Sequence, residues 1–381
     1  MIDRALVVGA GIGGLGAAAA LAQRGVAVDV VELKPDNTVY GVGINQPSNA
    51  LRALKSLGVL DEIVEHGFVY DRVRFCDLDG HLFAEIPHGT TVGGVPPNCA
   101  LPRRELARIL LGAATRAGAD VRFGRTADVT PAGDRVAVGF DDGAGAEYPL
   151  VVGFDGIRSS VRRQVFGDEH EPVSTGYGAW RVTMPRPSEV TCPSVFQNYG
   201  TKAGYIPLTR DTMYMLAVTP APPGLHYDPE RLVDHLVEVL QGYGGLIGEL
   251  RDALRPGDDV VYGVMEQVFL PRPWHSGRVV VAGDAAHACA PHLTQGAAMA
   301  LEDAVVLAEC VEATSEVEGS LSRFEDRRYD RARFVQEASL AILAGESLVT
   351  DAATLALHGQ FCADVLPGQF REVDEYLAQP A

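Results

Sequence analysis

Residues 5–32 constrain the fold more than any other stretch of the chain. Ala5-Leu6-Val7-Val8 is a short apolar run, read as a buried strand. Gly9-Ala10-Gly11-Ile12-Gly13-Gly14 follows at once, and Leu15 to Arg24 reads as a helix capped by Gly25. Val26 to Val31 is a second strand, ending at Glu32. A Gly-rich turn alone says little, but here strand, turn, helix, second strand and terminal acid all stand in order, the pattern of a dinucleotide-binding βαβ unit. Gly9 permits the tight turn, Gly11 lets the backbone approach a pyrophosphate, and Gly14 lets the helix pack on the strand. Glu32 can accept hydrogen bonds from a ribose and would repel a 2′-phosphate, so the bound adenosine belongs to FAD or NAD rather than NADP.

A second stretch, Arg278 to Val305, carries the rest of the argument. Val279 to Ala282 is apolar, β-branched and too short for a helix, so it reads as another buried strand. Gly283-Asp284 breaks it, a loop with Pro291 follows, and Gln295-Gly296 opens a long Ala-rich helix. An acid at a strand end beside a Gly-preceded helix start is suited to a polar ligand. The carboxylate accepts hydroxyl hydrogen bonds, and the free N–H groups face negative charge. Leu150 to Gly153, the Asp155-Gly156 turn and a helix from Ser159 repeat the strand-to-acid pattern, so both strands are expected to line one crevice at the carboxyl edge of a sheet.

Between these motifs the chain changes character. Val73–Phe75 and His81–Ile86 around Asp79-Gly80 suggest a hairpin. Asp36 to Pro47, which includes Gly41, is expected to be a loop, and Leu101 to Gly118 a helix with Arg103 and Arg104 in its first turn. Gly178–Met184, Ser194–Tyr199, Ala203–Pro207 and Thr212–Val218 suggest an antiparallel sheet, followed by helices over 228–241 and 245–254 and a strand over 260–269. The basic run FEDRRYDRARF, in a closing helix over 321–348, suggests a solvated or salt-bridged face, and 355–377 a surface-packed tail.

Composition bounds the function. The 381 residues suffice for two domains, and a net charge of −18 argues against nucleic acid or an anionic membrane as main partner. Six scattered cysteines without a CxxC pair favour reduced thiols in a cytoplasm over disulfides or zinc. No targeting or membrane-spanning segment is expected, and no metal site.

Three features in fixed order, GAGIGG ending in Glu32, Gly153-Phe154-Asp155-Gly156, and GDAAH with Pro291 and Gln295-Gly296, resemble the single-component FAD-dependent aromatic monooxygenases of the para-hydroxybenzoate hydroxylase class. The resemblance covers about residues 1 to 345. Pro291 to Ala297 (PHLTQGA) is nearest in motif to the 6-hydroxynicotinate 3-monooxygenase branch, and Phe154 departs from the alanine common there. The resemblance implies an α/β fold: a Rossmann-type FAD-binding domain with an inserted antiparallel-sheet substrate domain and a C-terminal helix. The expected segments are 1–175, 176–272 and 273–381. It further implies that Gly9, Gly11 and Gly14 sit on the FAD pyrophosphate and that Glu32 holds the adenosine ribose. Arg103, in an RxxL pattern, would contact the flavin side, and Asp284 the ribityl or pyrophosphate region. Pro291, Gln295, Gly296 and Ala297 would approach the isoalloxazine, and Asp155 would serve FAD and NAD(P)H.

The activity implied is hydroxylation of a small phenol or hydroxypyridine ring by O2, with NADH or NADPH as reductant, through a flavin hydroperoxide, in a monomer or homodimer. Such a ring must be electron-rich, so removing its hydroxyl proton helps, and a histidine suits that task. His292 is the candidate base or anchor, set against a merely structural role, whereas His287 is expected to be structural. Tyr205 and Tyr214 are candidate hydrogen-bond donors to substrate, with core packing the alternative. Arg181 is a candidate partner for a substrate carboxylate. A flavin epoxidase or dehydrogenase, or a non-catalytic flavin-binding protein, would keep the same FAD residues.

Overall fold

The computed structural model describes residues 2–37, 42–314 and 316–381. Its first sheet has six strands in the order His275–Ser276, Val279–Val281, Val151–Gly153, Arg4–Val8, Ala27–Glu32 and Asp120–Phe123. All neighbours pair in parallel except the short first one. Such a sheet must be covered on both faces, and residues 5–7, 151–152 and 279–281 are indeed fully buried. The helix Ile12–Ala22 is almost entirely Gly, Ala, Leu and Ile, and it is buried all round. Its small residues admit the helix Gly296–Ala313 so closely that a Cβ on Gly16 would stand 3.1 Å from Leu301 Cδ2. The turns after Val8, Gly153 and Val281 therefore come together at the carboxyl edge, as expected.

The second sheet has seven strands, ordered Val261–Gln267, Val173–Pro185, Thr212–Pro220, Thr201–Pro207, Ser194–Asn198, Arg72–Cys76 and Leu82–Pro87. The hairpin formed by residues 72–87 lies at the edge of this sheet, its first strand running parallel to Ser194–Asn198. Alternation then sorts the side chains. One face carries Trp180, Val182, Phe196, Tyr205, Met213 and Met215 and packs with residues of the helices Leu232–Val239 and Gly245–Ala253. The opposite, inner face carries Ala179, Ile206, Tyr214 and Leu216, together with Arg181, which is in register with Leu216.

Several expectations need correction. Gly43–Pro47 is a strand, not loop, and pairs with Asn98–Pro102 and, through it, Phe68–Tyr70 in a small third sheet. Gly41 lies outside the described residues. Residues 127–148 form a further three-stranded antiparallel sheet, with Arg135–Phe140 between Ala127–Ala132 and Gly145–Tyr148. The closing helix spans Val317–Ser347, and the tail beyond it forms two helices, Ala352–Asp364 and Leu366–Ala378. Among the described residues no helix is long and apolar enough to cross a membrane.

Candidate active site

The first turn is shaped by close approach. Gly9 adopts φ +103°, and a Cβ there would lie 2.4 Å from the Phe154 carbonyl oxygen. A Cβ on Gly14 would lie 1.9 Å from the Gly9 carbonyl oxygen, so only glycine lets the helix start press on the strand end. Gly13 is required by the Phe154 ring, 2.6 Å from where its Cβ would stand. Gly11, by contrast, faces open space, with no atom within 4 Å of a built Cβ. No side chain caps this helix, so its first N–H groups are available to a ligand, as the end of an uncapped helix must be. Glu32 stands beside them. One oxygen accepts from Ala10 N at 2.8 Å and the other from Lys34 N at 3.1 Å, and each keeps a lone pair for a further donor.

The second turn is held from below. Gly283 sits at φ +57°, and its N–H donates to Asp303 Oδ2 at 2.8 Å. The same oxygen lies 2.6 Å from His287 Nε2, while Arg328 Nε donates to the other at 2.7 Å. Burial by itself would raise the Asp303 carboxyl, but His287 and Arg328 hold it at about 2. His287 is thus part of the turn's support. Asp284 itself is exposed at the edge of the crevice, with one carboxylate oxygen 4.0 Å from a built Cβ on Gly296, at the start of the next helix. The Gln295 side chain does not cap that helix. It is buried and pairs with Asn49, whose Nδ2 donates to Gln295 Oε1 at 2.9 Å.

Asp155 is a helix cap. Its carboxylate accepts from Ser160 N and Val161 N at 2.7 and 3.0 Å and from the hydroxyls of Ser159 and Ser160. These local donors occupy the carboxylate and fix the shape of the Asp155-Gly156 turn.

Across the crevice stands the inner face of the seven-stranded sheet. Tyr214 lies there, so near Gly43 that a Cβ on the glycine would meet its ring at 2.5 Å. Burial raises its hydroxyl to about 12, with Arg181 opposing, so it is a neutral donor near that guanidinium. Arg103 reaches solvent, yet crowding by the cleft walls lowers its pKa; Asp284 opposes that and Arg181 adds to it. The charges of Asp284 and Arg181 are thus both felt at Arg103. Among the described residues neither guanidinium makes a hydrogen bond or ion pair through its side chain. Tyr205 is a correction. It points to the other face, into the helix-covered core beside Phe196, with ring centroids 5.6 Å apart. His292 does not cap the following helix. Its side chain is 1% exposed, and Nε2 lies 3.3 Å from Glu346 Oε2.

A model of the family described as "FAD binding domain" matches residues 4–339. The chain belongs to this family. It is 34% identical over 341 residues to a putative FAD-dependent monooxygenase, YetM, of Bacillus subtilis, covering 89% of this chain and 92% of that one. It is 33% identical over 347 residues to the 2-heptyl-3-hydroxy-4(1H)-quinolone synthase of Pseudomonas aeruginosa, covering 88% and 87%. The crystal structure of Klebsiella pneumoniae HpxO complexed with FAD and uric acid superposes with a TM-score of 0.89 at 25% identity, over 99% of this chain and 97% of that one. The protein is an FAD-dependent oxidoreductase of the monooxygenase class.

The crevice fits FAD on its own features: a bare helix start before open space at Gly11, an acid with spare lone pairs at Glu32, an exposed acid at Asp284 and an unpartnered cation at Arg103. Two buried side-chain oxygens on the adjoining strand, Asn45 Oδ1 and Gln46 Oε1, also lack partners among the described residues. Asn49, Asp303, Arg328 and Glu346 escaped sequence reasoning. Asn49, Arg328 and Glu346 act through partners at least 25 positions away, and Asp303 also through a turn 16 to 20 residues upstream.

Proposed function

We propose that this FAD-dependent monooxygenase hydroxylates an electron-rich aromatic or heteroaromatic ring of the phenol or hydroxypyridine type, using O2 and either NADH or NADPH. The observation that carries the reading is the facing of two half-sites. Helix starts and acids suited to FAD lie on one side of the crevice, and Arg181 and Tyr214 stand on the other, on a sheet that supplies no partner to the guanidinium. The relatives' names add a quinolone and uric acid, both heteroaromatic, as compounds handled by similar chains.

FAD, when bound, supplies the oxygen-transfer chemistry. Gly9, Gly11 and Gly14 give its pyrophosphate close access to backbone N–H groups, Glu32 holds the ribose, and Arg103 and Asp284 bind the flavin half. The backbone of Pro291 and Gln295 to Ala297 borders the ring, since the Gln295 amide is committed to Asn49. Arg181 orients an anionic or strongly polar edge of the substrate, and Tyr214 donates a hydrogen bond. Residues 1–175 and 273–381 form the FAD domain, apart from the hairpin that joins the substrate sheet, and 176–272 the rest of the substrate domain. Six free cysteines, five of them buried, agree with a cytoplasmic setting.

Anaerobic stopped-flow reduction of the flavoprotein by NADH and NADPH, with and without hydroxylated aromatic and pyridine acids, tests the reading. One compound is expected to accelerate flavin reduction and to be recovered with an added oxygen atom. Flavin reduction indifferent to every ring compound, with no oxygenated product, counts against it.

A further inference from the structure

Three distant parts of the chain bring charge together beside the flavin loop. Lys202 comes from the inner face of the sheet, Glu346 from the closing helix, and His292 from the 3-10 turn Pro291–Leu293. Lys202 Nζ donates to Glu346 Oε1 at 2.7 Å and lies 2.6 Å from Oε2. His292 Nε2 is at ion-pair distance from Oε2, though its N–H is aimed too poorly for a hydrogen bond, and neither ring nitrogen has another partner among the described residues. The cluster is closed in: side-chain exposures are 12% for Lys202, 14% for Glu346 and 1% for His292. The adjoining cavity, about 10 Å³ and lined in part by Gln197, Lys202, Leu343 and Glu346, has room for one water at most. Other titratable groups nearby include Tyr177, which lines the same cavity, and His358 and Cys362 of the helix Ala352–Asp364, 3.4 Å apart.

The charges decide the state of the imidazole. Lys202 and Glu346 cancel, so the cluster is neutral when His292 is neutral. Desolvation first, and Lys202 second, disfavour the imidazolium, with Glu346 opposing. A carboxylate facing Nε2 favours the tautomer that carries its proton there, which leaves the lone pair on Nδ1. The turn bearing His292 ends at Thr294, held at φ +55°, where a β-branched residue is strained, as loops at functional sites often are.

We propose that Glu346 and Lys202 are positioning residues for His292, holding it as the neutral Nε2–H tautomer so that Nδ1 is the proton-accepting atom beside the flavin loop. The accepting role rests on the hydroxylase reading. The O–H bond of a ring hydroxyl breaks, an N–H bond forms at Nδ1, and the electron pair stays on the ring oxygen. Nothing is oxidised in this step, and the imidazolium formed is stabilised by Glu346. Among the described residues Nδ1 makes no hydrogen bond, so its lone pair is not taken by another protein group.

The test uses FAD-loaded protein with 13C- and 15N-labelled histidine, the His292 signals being identified by their loss in His292→Gln. In the unsubstituted protein Nε2 is expected to be protonated and Nδ1 free, with titration below the ordinary histidine range. In Lys202→Met the titration moves up, because the carboxylate is left alone, and in Glu346→Gln it moves down, because the lysine is. Each shift is expected to be about one pH unit or more, and Glu346→Asp restores most of it. Flavin content and Tm of each variant identify any that misfold, and the tautomer of the unsubstituted protein decides without them. A proton on Nδ1, or shifts of the same sign in both variants, overturns the proposal.

A second arm follows NADH consumption with 4-hydroxybenzoate and 6-hydroxynicotinate as probes. The acidic limb of kcat/KM is expected to move up in Lys202→Met and down in Glu346→Gln. Stimulation with an unmoved limb overturns the positioning role and leaves the hydroxylase reading intact. The expected tautomer without stimulation by any ring hydroxyl supports the positioning device and removes the hydroxylase reading.

Discussion

Single residues in this protein do work that follows from one atom more or less. Glu32 is the clearest case, since both its oxygens anchor neighbouring backbone and still offer lone pairs to a ribose. Replacing it with Gln removes the charge from those hydrogen bonds, each worth roughly 1.5–3 kcal/mol when one partner is ionised. Glu32→Gln is therefore expected to weaken FAD binding by about tenfold or more, read by flavin fluorescence titration of the apoprotein; an unchanged Kd would take Glu32 out of the ribose contact. Arg181→Met should leave flavin content and Tm close to unchanged, because the side chain has no partner to lose, while abolishing most substrate-stimulated NADH oxidation. A large drop in Tm instead would make Arg181 a structural residue. The glycines were legible in the sequence because their reasons are local. The two tyrosines were not separable there. Which face of a strand meets the cofactor domain depends on register against strands far away, and that put Tyr214 inward and Tyr205 outward.

At the scale of elements, the closing helix is tied to the Ala-rich helix by a buried ionic lattice. Arg328 donates to Asp303 and Glu302, both at 2.7 Å, and Arg331 donates to Glu302 at 2.7 and 2.8 Å. Arg328 and Asp303 are wholly shielded from solvent. The basic run therefore faces inward at these positions, correcting the solvated half of the sequence expectation. In a helix every third or fourth arginine lies on one face, and only the partner element decides whether that face is wet. Removing Arg328 leaves buried Asp303 with only His287 and the Gly283 N–H, and Glu302 with only Arg331, so Arg328→Met is expected to cost about 3–5 kcal/mol in urea unfolding, and to loosen the Gly283-Asp284 turn that Asp303 supports. A loss well under 1 kcal/mol would show the lattice to be incidental. In the loop at 291–295, Thr294→Gly should relieve the left-handed strain and raise stability by up to about 1 kcal/mol; a fall in Tm would show that the threonine side chain contributes more than its backbone costs.

For the whole molecule, the buried titratable groups set one direction of pH dependence. Asp303 and Glu346 are held at about 2 by their cationic neighbours against the effect of burial. Their folded values lie below the unfolded ones, so the stability they contribute is present above about pH 4–5 and is lost as pH falls toward 2. His292 and His358 are lowered, mainly by burial. They stay neutral in the fold while the unfolded chain takes up protons below about pH 6.5, so stability again declines as pH falls through that range. Tm is expected to hold near neutrality, to decline from about pH 6.5 and to fall steeply below pH 5. A maximum near the sequence isoelectric point of about 4.9 would contradict these assignments.

The sequence by itself determined the βαβ start, the two later strand-to-acid turns, their order, and hence the α/β class and the FAD-binding family. Each of these is encoded by neighbours along the chain, where hydrophobic runs and glycines act over a few residues. The tertiary structure decided what depends on distant packing. It joined the 72–87 hairpin to the far sheet. It turned two arginines of the closing helix into the core and set Lys202 and Glu346 beside His292. Burial, register and charge pairing between residues 25 to 144 positions apart fix those outcomes, and no local spacing records them.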